Sequence, residues 1–285
     1  MTTREEAGTF TCQDRTLAYR VYGEGTRVTV LLHGLLLSQR MHEPLARALA
    51  ERGNRVVTLD LLGHGLSDRP RDMWRYSMSS FGQEVVGLLD HLQVDEAVVG
   101  GTSLGANVTL EVASLAPERL RGMVVEMPVL DNALLATAVA FTPLLVALTF
   151  GEPVMRLLSR VTRLVPERHV PWAANVVLDT VRQDPAPGAA VLQGLLSGRT
   201  APHRSERRTF TAPALVIGHR RDPVHPFSDA GLLAEELPNS TLLEASSILE
   251  LRVAPERLTN EIADFIERCW LPRPAQRARS RAARA

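Results

Sequence analysis

Residues 98–108 read VVGGTSLGANV, the pattern of a strand that turns sharply into a helix. An apolar, β-branched run ends at two glycines, Ser103 follows, and a helix-like pattern begins at once. A serine at a sharp strand-to-helix turn, with glycines two residues before and after it, has a strained backbone and presents its hydroxyl at the carboxyl edge of a sheet. The alternative is an ordinary Gly/Ser turn. The strand-helix context favours a nucleophile at Ser103.

Outward from this turn, short apolar runs alternate with helical patterns. The predicted strands cover residues 27–34, 55–63, 96–101, 120–128, 213–219 and 240–246. Near-continuous apolar strands separated by helices predict an α/β fold, with a mostly parallel central sheet covered by helices on both faces. The alternation breaks once, where only helical patterns and Pro-rich turns occur, and this indicates an inserted all-helical cap. The predicted divisions are an α/β core in residues 1–130 and 208–270, a helical cap in 131–207 and a disordered basic tail in 271–285.

Composition excludes several classes of function. The 285 residues carry no net charge and include no lysine, so nothing indicates nucleic-acid binding, and Schiff-base chemistry and lysine-dependent phosphate loops are excluded. The two cysteines, Cys12 and Cys269, support neither a disulfide framework nor a zinc site. No dinucleotide fingerprint is present, so no cofactor and no metal are expected. The polar N-terminus lacks the apolar region of a secretory signal, and we expect a cytoplasmic protein.

One uncharged stretch, residues 133–150, is similar in composition to a membrane span. Its length is barely sufficient to cross a bilayer, and Pro143 interrupts it. We therefore expect no stable membrane span. The stretch is expected to cover the nucleophile with apolar side chains and to exclude water.

A second backbone feature lies at the end of the first strong strand. His33 and Gly34 end this strand, and Leu35 follows. The backbone N–H of Leu35, together with that of Leu104 immediately after the serine, is predicted to form an oxyanion hole.

Four motifs in order resemble those of the α/β-hydrolase superfamily, in its serine-nucleophile branch with a helical cap. They are HG at 33–34, D-x-x-G-H-G-x-S-D at 60–68, G-x-S-x-G at 101–105 and PALVIGHRRDPVHP at 213–226. The resemblance covers about residues 10–270. It implies that His33 and His64 structure their loops.

The same resemblance implies an acid after the strand that follows the cap, where Asp222 stands. A different acid position, used by some members, lies after the strand before the cap, near Glu126 and Asp131. Both rank below Asp222. The family's usual histidine lies after the last strand, and counting back from Pro255 places Ile248 at that position. No histidine follows His225.

The general base therefore departs from the family pattern, and the residues leave several answers open. His225 lies three residues beyond Asp222, at the sheet edge where Ser103 is expected, and His219 is a weaker candidate. A second possibility is that water or the substrate takes the serine proton. A third is that the protein binds a ligand without turnover and needs no base. Ser247 and Glu250 have the spacing of a helix capping box, which favours a structural role for Glu250.

These residues together predict a serine hydrolase, an esterase- or lipase-like enzyme acting on a small apolar ester or acyl substrate. Its catalytic residues would be Ser103, Asp222 and His225, with Leu35 and Leu104 holding the oxyanion. Two alternatives are a weakly active or inactive ligand-binding protein and a cofactor-free haloperoxidase- or perhydrolase-like enzyme. The oligomeric state stays open.

Overall fold

One eight-stranded sheet forms the centre of the protein. The computed structural model describes residues 4–272, so the predicted tail lies outside the described residues from 273 onward. The strands are β1 (Glu5–Cys12), β2 (Arg15–Tyr22), β3 (Arg27–Leu32), β4 (Asn54–Leu59), β5 (Ala97–Thr102), β6 (Leu120–Glu126), β7 (Ala214–His219) and β8 (Ser240–Ala245). Their spatial order is β1-β2-β4-β3-β5-β6-β7-β8, and all pairs from β4 to β8 are parallel.

The hairpin at the edge of the sheet is absent from the predicted strands. β1 and β2 pair antiparallel from Glu5 opposite Tyr22 to Cys12 opposite Arg15, and Gln13 in the connecting turn has a φ of 57°. Most residues of β1 are exposed or half-buried. An edge strand of this kind lacks the continuous apolar run by which the central strands were predicted.

Helices cover both faces of the sheet. They are α1 (Glu43–Glu51), α2 (Met78–His91), α3 (Leu104–Leu115), α4 (Leu134–Phe150), α5 (Glu152–Arg163), α6 (Trp172–Val181), α7 (Pro185–Ser197), α8 (Arg204–Arg207), α9 (Phe227–Glu236), α10 (Glu250–Val253) and α11 (Glu256–Trp270). Two neighbouring residues of β6 lie on opposite faces of the sheet. Val124 belongs to the hydrophobic cluster that contains residues of α1 and α11, and Val125 belongs to the cluster that contains residues of α2, α3 and α9. The fold-class prediction, an α/β protein with a mostly parallel sheet, is confirmed.

Helices α4 to α8 lie between β6 and β7, and we call residues 131–207 the cap segment. α4 packs against α7, and the side chains of both reach the carboxyl edge of the sheet. The exact domain boundaries stay predictions. Among residues 4–272, no single helix has the length and hydropathy needed to cross a bilayer; α4 and α5 meet those criteria only together, and they bend by 92° at their junction.

Candidate active site

Ser103 occupies the turn between β5 and α3 in a strained conformation. Its φ is 54° and its ψ is −109°, a combination that a residue with a side chain adopts only when its surroundings hold it there. Two backbone hydrogen bonds do so: the Ser103 N–H donates to the carbonyl of Glu126 at 2.9 Å, and the Ser103 carbonyl accepts from Asn107 at 3.0 Å. The turn therefore has the geometry that the sequence motif predicts.

The two glycines of the motif are required by close packing of the backbone. A Cβ on Gly101 would lie 2.4 Å from the carbonyl carbon of Gly105, and a Cβ on Gly105 would lie 2.2 Å from the carbonyl oxygen of Leu32. Both distances are far inside van der Waals contact. Residues with side chains at 101 and 105 would thus push α3 away from β3 and β5 and displace the serine.

A chain of hydrogen bonds joins Ser103 to two residues of the loop after β7. Ser103 Oγ lies 2.8 Å from His225 Nε2, and His225 Nδ1 lies 2.8 Å from Asp222 Oδ2. An ionised carboxylate only accepts hydrogen bonds, so Nδ1 carries the proton in that pair and Nε2 is left to accept the serine proton. The structure brings together the three residues predicted as nucleophile, base and acid, in the arrangement of a nucleophile, a base and an orienting group.

Asp222 is itself fixed by its own loop. Its Oδ1 accepts the backbone N–H groups of Val224 at 2.8 Å and His225 at 2.9 Å, which is the side-chain-to-backbone turn that Asp commonly forms. Burial raises the pKa of the Asp222 carboxyl, but hydrogen bonds from the His225 side chain and backbone outweigh it and leave this pKa below its ordinary value. Asp222 is therefore a carboxylate at neutral pH.

The other candidate histidine, His219, points elsewhere. It is buried, its Nδ1 lies 2.8 Å from the carbonyl oxygen of Ser247, and its Nε2 lies 3.7 Å from Glu126 Oε1. Among the contacts described for residues 4–272, none joins His219 to Ser103. Ile248, at the position where the family has its histidine, is 39% exposed.

The segment after β8 contributes an arginine near the nucleophile. Arg252 Nη2 lies 2.9 Å from Thr102 Oγ1 and 2.9 Å from Glu126 Oε2. Burial raises the pKa of the Glu126 carboxyl, but the charge of Arg252, the nearby His219 and hydrogen bonds from Thr102 and Arg252 together hold it well below its ordinary value. Glu126, one of the alternative acids, thus forms an ion pair beneath the serine turn. The other, Asp131, is exposed.

The predicted capping box of Ser247 and Glu250 is not formed as expected. Ser247 Oγ accepts the N–H of Leu249 at 3.3 Å, whereas the Glu250 carboxylate accepts the N–H of Ser246 and pairs with Arg257 at 2.8 Å. The hydrogen bond from Arg257 contributes most to a Glu250 pKa of about 2. Glu250 keeps a structural role, but its partner is Arg257 instead of the cap residue.

The two predicted oxyanion donors lie beside the serine. Leu35 and Leu104 line the same cavity as Ser103 and His225. Leu104 is the first residue of α3, and N–H groups in the first turn of a helix have no acceptor within the helix. Leu36, the next residue after Leu35, has a φ of 59°. The role of these N–H groups in catalysis stays a prediction.

A small apolar cavity opens at the serine hydroxyl. Its volume is about 70 Å³. Ser103 and His225 supply polar groups, and the walls are Leu35, Met78, Leu104, Val129, Phe141 of α4, and Leu192, Leu195 and Leu196 of α7, with Asn107, Thr137 and Thr200 completing the lining. Side chains of α4 and α7 therefore line the candidate site, and α7 contributes more apolar side chains to it than the uncharged helix α4, which was expected to supply them.

A second, wider cavity continues outward from the first. Its volume is about 600 Å³, and it shares Val129, Thr137, Leu195, Leu196 and Thr200 with the inner cavity. Arginines at its far end are paired with carboxylates: Arg199 with Glu111 at 2.7 Å, and Arg207 with Glu236 at 2.6 Å. The cavity lies between α4 and residues 198–204, so a substrate has a route to Ser103 along the edge of the cap segment.

The histidines of the two remaining motifs are buried away from this chain of hydrogen bonds. His33 Nε2 accepts the N–H of Leu61 at 3.1 Å, and His64 Nδ1 donates to the carbonyl of Leu62 at 2.9 Å. Burial lowers the pKa of both imidazoles. The first contact and the packing of the two imidazole rings, whose centroids lie 4.7 Å apart, join the loop after β3 to the loop after β4, and the second contact lies within the loop after β4. Both agree with a loop-structuring role.

Comparison with known proteins places this geometry in a family. A family model described as alpha/beta hydrolase fold matches residues 28–247. The chain belongs to the α/β-hydrolase fold family. It is similar to 3-oxoadipate enol-lactonase 2 of Acinetobacter baylyi, with 28% identity over 248 residues, 84% of this chain and 89% of that protein. It is also similar to 2-hydroxymuconate semialdehyde hydrolase of Pseudomonas putida, with 28% identity over 200 residues, 66% of this chain and 67% of that protein.

Solved structures agree with this α/β-hydrolase assignment at the level of the fold. The enol-lactonase from Burkholderia xenovorans LB400 superimposes with a TM-score of 0.74 at 21% identity, covering 91% of this chain and all of that one. A hydrolase from Pseudomonas aeruginosa PA01 superimposes with a TM-score of 0.76 at 22% identity, covering 91% and 98%. The family and the relatives support hydrolase activity for this chain.

Some residues of the site were not singled out from the sequence. Asn107 of α3 lines the inner cavity, and its side-chain amide donates to the carbonyls of Val129 at 2.7 Å and Thr200 at 2.8 Å. It lies four residues after Ser103, so helical periodicity could have placed it on the same face. Arg252 gave no such signal, because its partners are distant in sequence.

Proposed function

We propose that this α/β-hydrolase is a serine-dependent carboxylic ester hydrolase whose general base is His225. The observation that carries the proposal is the continuous hydrogen-bonded chain from Ser103 through His225 to Asp222, with both distances at 2.8 Å. A base within this distance of the hydroxyl can take its proton in the step that forms the acyl bond. The base stands on the loop after β7, three residues beyond the acid that orients it.

The proposed reaction has two halves. Ser103 Oγ attacks the ester carbonyl carbon while His225 Nε2 takes the hydroxyl proton, and the N–H groups of Leu35 and Leu104 stabilise the negative oxygen. The tetrahedral intermediate expels the alcohol, which receives the proton from His225. Water then attacks the acyl-serine with His225 again as base, and the acid product leaves as Ser103 regains its proton. Asp222 keeps the imidazole oriented and stabilises its positive charge in both halves.

The cavity supports small apolar acyl groups as substrates. About 70 Å³ next to Ser103 holds only a short acyl chain, and its walls are leucine, methionine and phenylalanine side chains. The alcohol portion of an ester, or the rest of a lactone ring, would occupy the wider outer cavity. The relative named 3-oxoadipate enol-lactonase makes cyclic esters a reasonable part of the substrate panel.

Labelling with a fluorophosphonate tests the proposal. The reagent phosphonylates a serine whose proton is removed and whose oxyanion is stabilised, so the folded wild-type protein should be labelled at neutral pH and Ser103→Ala should not. Peptide mass analysis should place the label on Ser103, with Ser197 as an internal serine control. A folded protein that resists the reagent would instead support the alternative of a ligand-binding protein without turnover.

A further inference from the structure

The outer surface of α4 and α5 carries an unusual density of exposed apolar side chains. Leu148 is the only buried residue of α4, although that helix is apolar on all sides. Helices of this composition are normally buried. The exposed large residues of α4 include Leu135, Val139, Val146 and Phe150. Their spacing of four, seven and four residues places them on one face of the helix.

Helix α5 is amphipathic, but its apolar face is exposed instead of packed on the core. Its only buried residue is Ser159, whereas Val154, Leu157, Leu158 and Val161 are exposed. Those four residues follow the spacing i, i+3, i+4 and i+7 and therefore form one stripe. Phe150 and Val154 lie on either side of the bend at Gly151, so the stripes of α4 and α5 meet there. Contiguous exposed apolar patches on a protein surface mark a site of interaction.

Charges next to the stripe indicate the kind of partner. Residues 133–171 contain four arginines and two glutamates. The glutamates are occupied, Glu152 by Arg156 and Glu167 by Arg40 at 2.7 Å. Arg160 and Arg168 are both exposed, and within residues 4–272 neither has a carboxylate partner. A second copy of this chain meeting the patch about a two-fold axis would offer these arginines only its own two glutamates, which are already paired.

We propose that the outer face of α4 and α5 docks on a phospholipid surface that contains anionic lipid. Apolar side chains would enter the boundary between headgroups and acyl chains, and Arg160 and Arg168 would meet the phosphate groups, as in helices that lie in the plane of a membrane interface. The inner face of α4 supplies Thr137 and Phe141 to the cavity at Ser103, and Leu134 and Ala138 line the outer cavity. The docked surface thus adjoins the route to the candidate site.

Vesicle binding tests the docking proposal independently of catalysis. Full-length Ser103→Ala protein is mixed with vesicles of phosphatidylcholine alone or with one quarter phosphatidylglycerol, and bound protein is measured by co-sedimentation. We expect binding to the anionic vesicles that weakens as salt is raised. Leu164 follows directly after α5 and is 80% exposed. Leu157→Gln combined with Leu164→Gln should weaken binding about tenfold or more, because apolar area no longer enters the bilayer.

The matched control is Leu66→Gln combined with Val253→Gln, which removes apolar residues of at least similar exposure outside the cap segment and should bind as the parent does. Absence of binding at low salt, or equal binding by both double variants, would overturn the proposal. So would sedimentation showing a lipid-free dimer that only Leu157→Gln with Leu164→Gln dissociates, since the occupant would then be a second copy. None of these outcomes depends on whether Ser103 is a nucleophile.

Discussion

His225 lies three residues after Asp222, and the imidazole of one is hydrogen-bonded to the carboxylate of the other at 2.8 Å. The acid and the proposed base therefore belong to a single loop whose turn Asp222 itself fixes through the N–H groups of Val224 and His225. One short segment thus sets the orientation of the imidazole toward Ser103. In the family pattern, by contrast, the acid and the histidine follow different strands.

Removal of the imidazole should abolish most of the activity. A positioned general base contributes about a hundredfold to ten-thousandfold, so His225→Ala should lower the acylation rate toward p-nitrophenyl acetate by about that much. Stopped-flow release of p-nitrophenol measures it, with circular dichroism as the check on folding. His169→Ala in the cap segment is the matched control and should act like the wild type, and His219→Ala should lose far less than His225→Ala. Equal rates for His225→Ala and wild type would rule out this base.

Replacing the carboxylate of Asp222 by an amide should leave the loop in place but move the proton of the His225 imidazole from Nδ1 to Nε2. Asn keeps an oxygen that can accept the N–H groups of Val224 and His225, but its NH₂ group would face Nδ1 and favour the tautomer with the proton on Nε2. We expect kcat to fall about 10²- to 10⁴-fold in Asp222→Asn, while the unfolding midpoint changes little. Unchanged kcat would mean that Asp222 only shapes the loop.

A histidine at position 248 should not improve the enzyme. Because His225 already contacts Ser103, Ile248→His adds an imidazole at a partly exposed position with no vacant role, and kcat/KM should stay within about threefold of wild type, as for most surface substitutions. Steady-state kinetics on the single variant measure this. A tenfold or larger gain would show that the wild-type site lacks an effective base, which contradicts the role proposed for His225.

The sequence predicted the central strands β3 to β7 well because they are buried on both faces and therefore form apolar runs between helices. The strained turn at Ser103 was predictable for a different reason: only glycine fits at 101 and 105, so the motif records the packing directly. The hairpin β1–β2 was not predicted because β1 is mostly exposed and β2 is only partly buried, so neither strand has a continuous apolar run.

At the candidate site, the sequence could show that the usual histidine is missing but not which group faces Ser103. His219 and His225 lie six residues apart, on the same strand end and loop. Only the turn fixed by Asp222 directs one toward the serine while the other binds the carbonyl of Ser247. The exposure of the apolar stripe of α5 likewise could not be predicted from the sequence, because helical periodicity shows that a stripe exists and not which way it faces.

Stability should fall steeply in mild acid because buried histidines resist protonation. Burial is the main reason why the pKa of His42 is lowered to about 3. The unfolded chain binds a proton near pH 6.5, so as the pH falls below that value the unfolded state gains protons that the folded state does not, and the folded state loses stability down to about pH 3. For His42 alone, the loss between pH 8 and pH 5 is about 2 kcal/mol.

His42→Gln isolates this contribution. His42 Nε2 lies 2.9 Å from the carbonyl oxygen of Leu32, and a glutamine amide can donate the same hydrogen bond without titrating. Urea unfolding of both proteins at pH 8 and pH 5 should give a smaller loss for the variant, by about 2 kcal/mol, whatever the variant costs at pH 8. His169→Gln, at an exposed histidine, should lose as much stability as the wild type. If His42→Gln lost as much stability between pH 8 and pH 5 as the wild type, His42 would titrate alike in the folded and unfolded states. The acid sensitivity would then come from His33 and His64, whose pKa values burial also lowers.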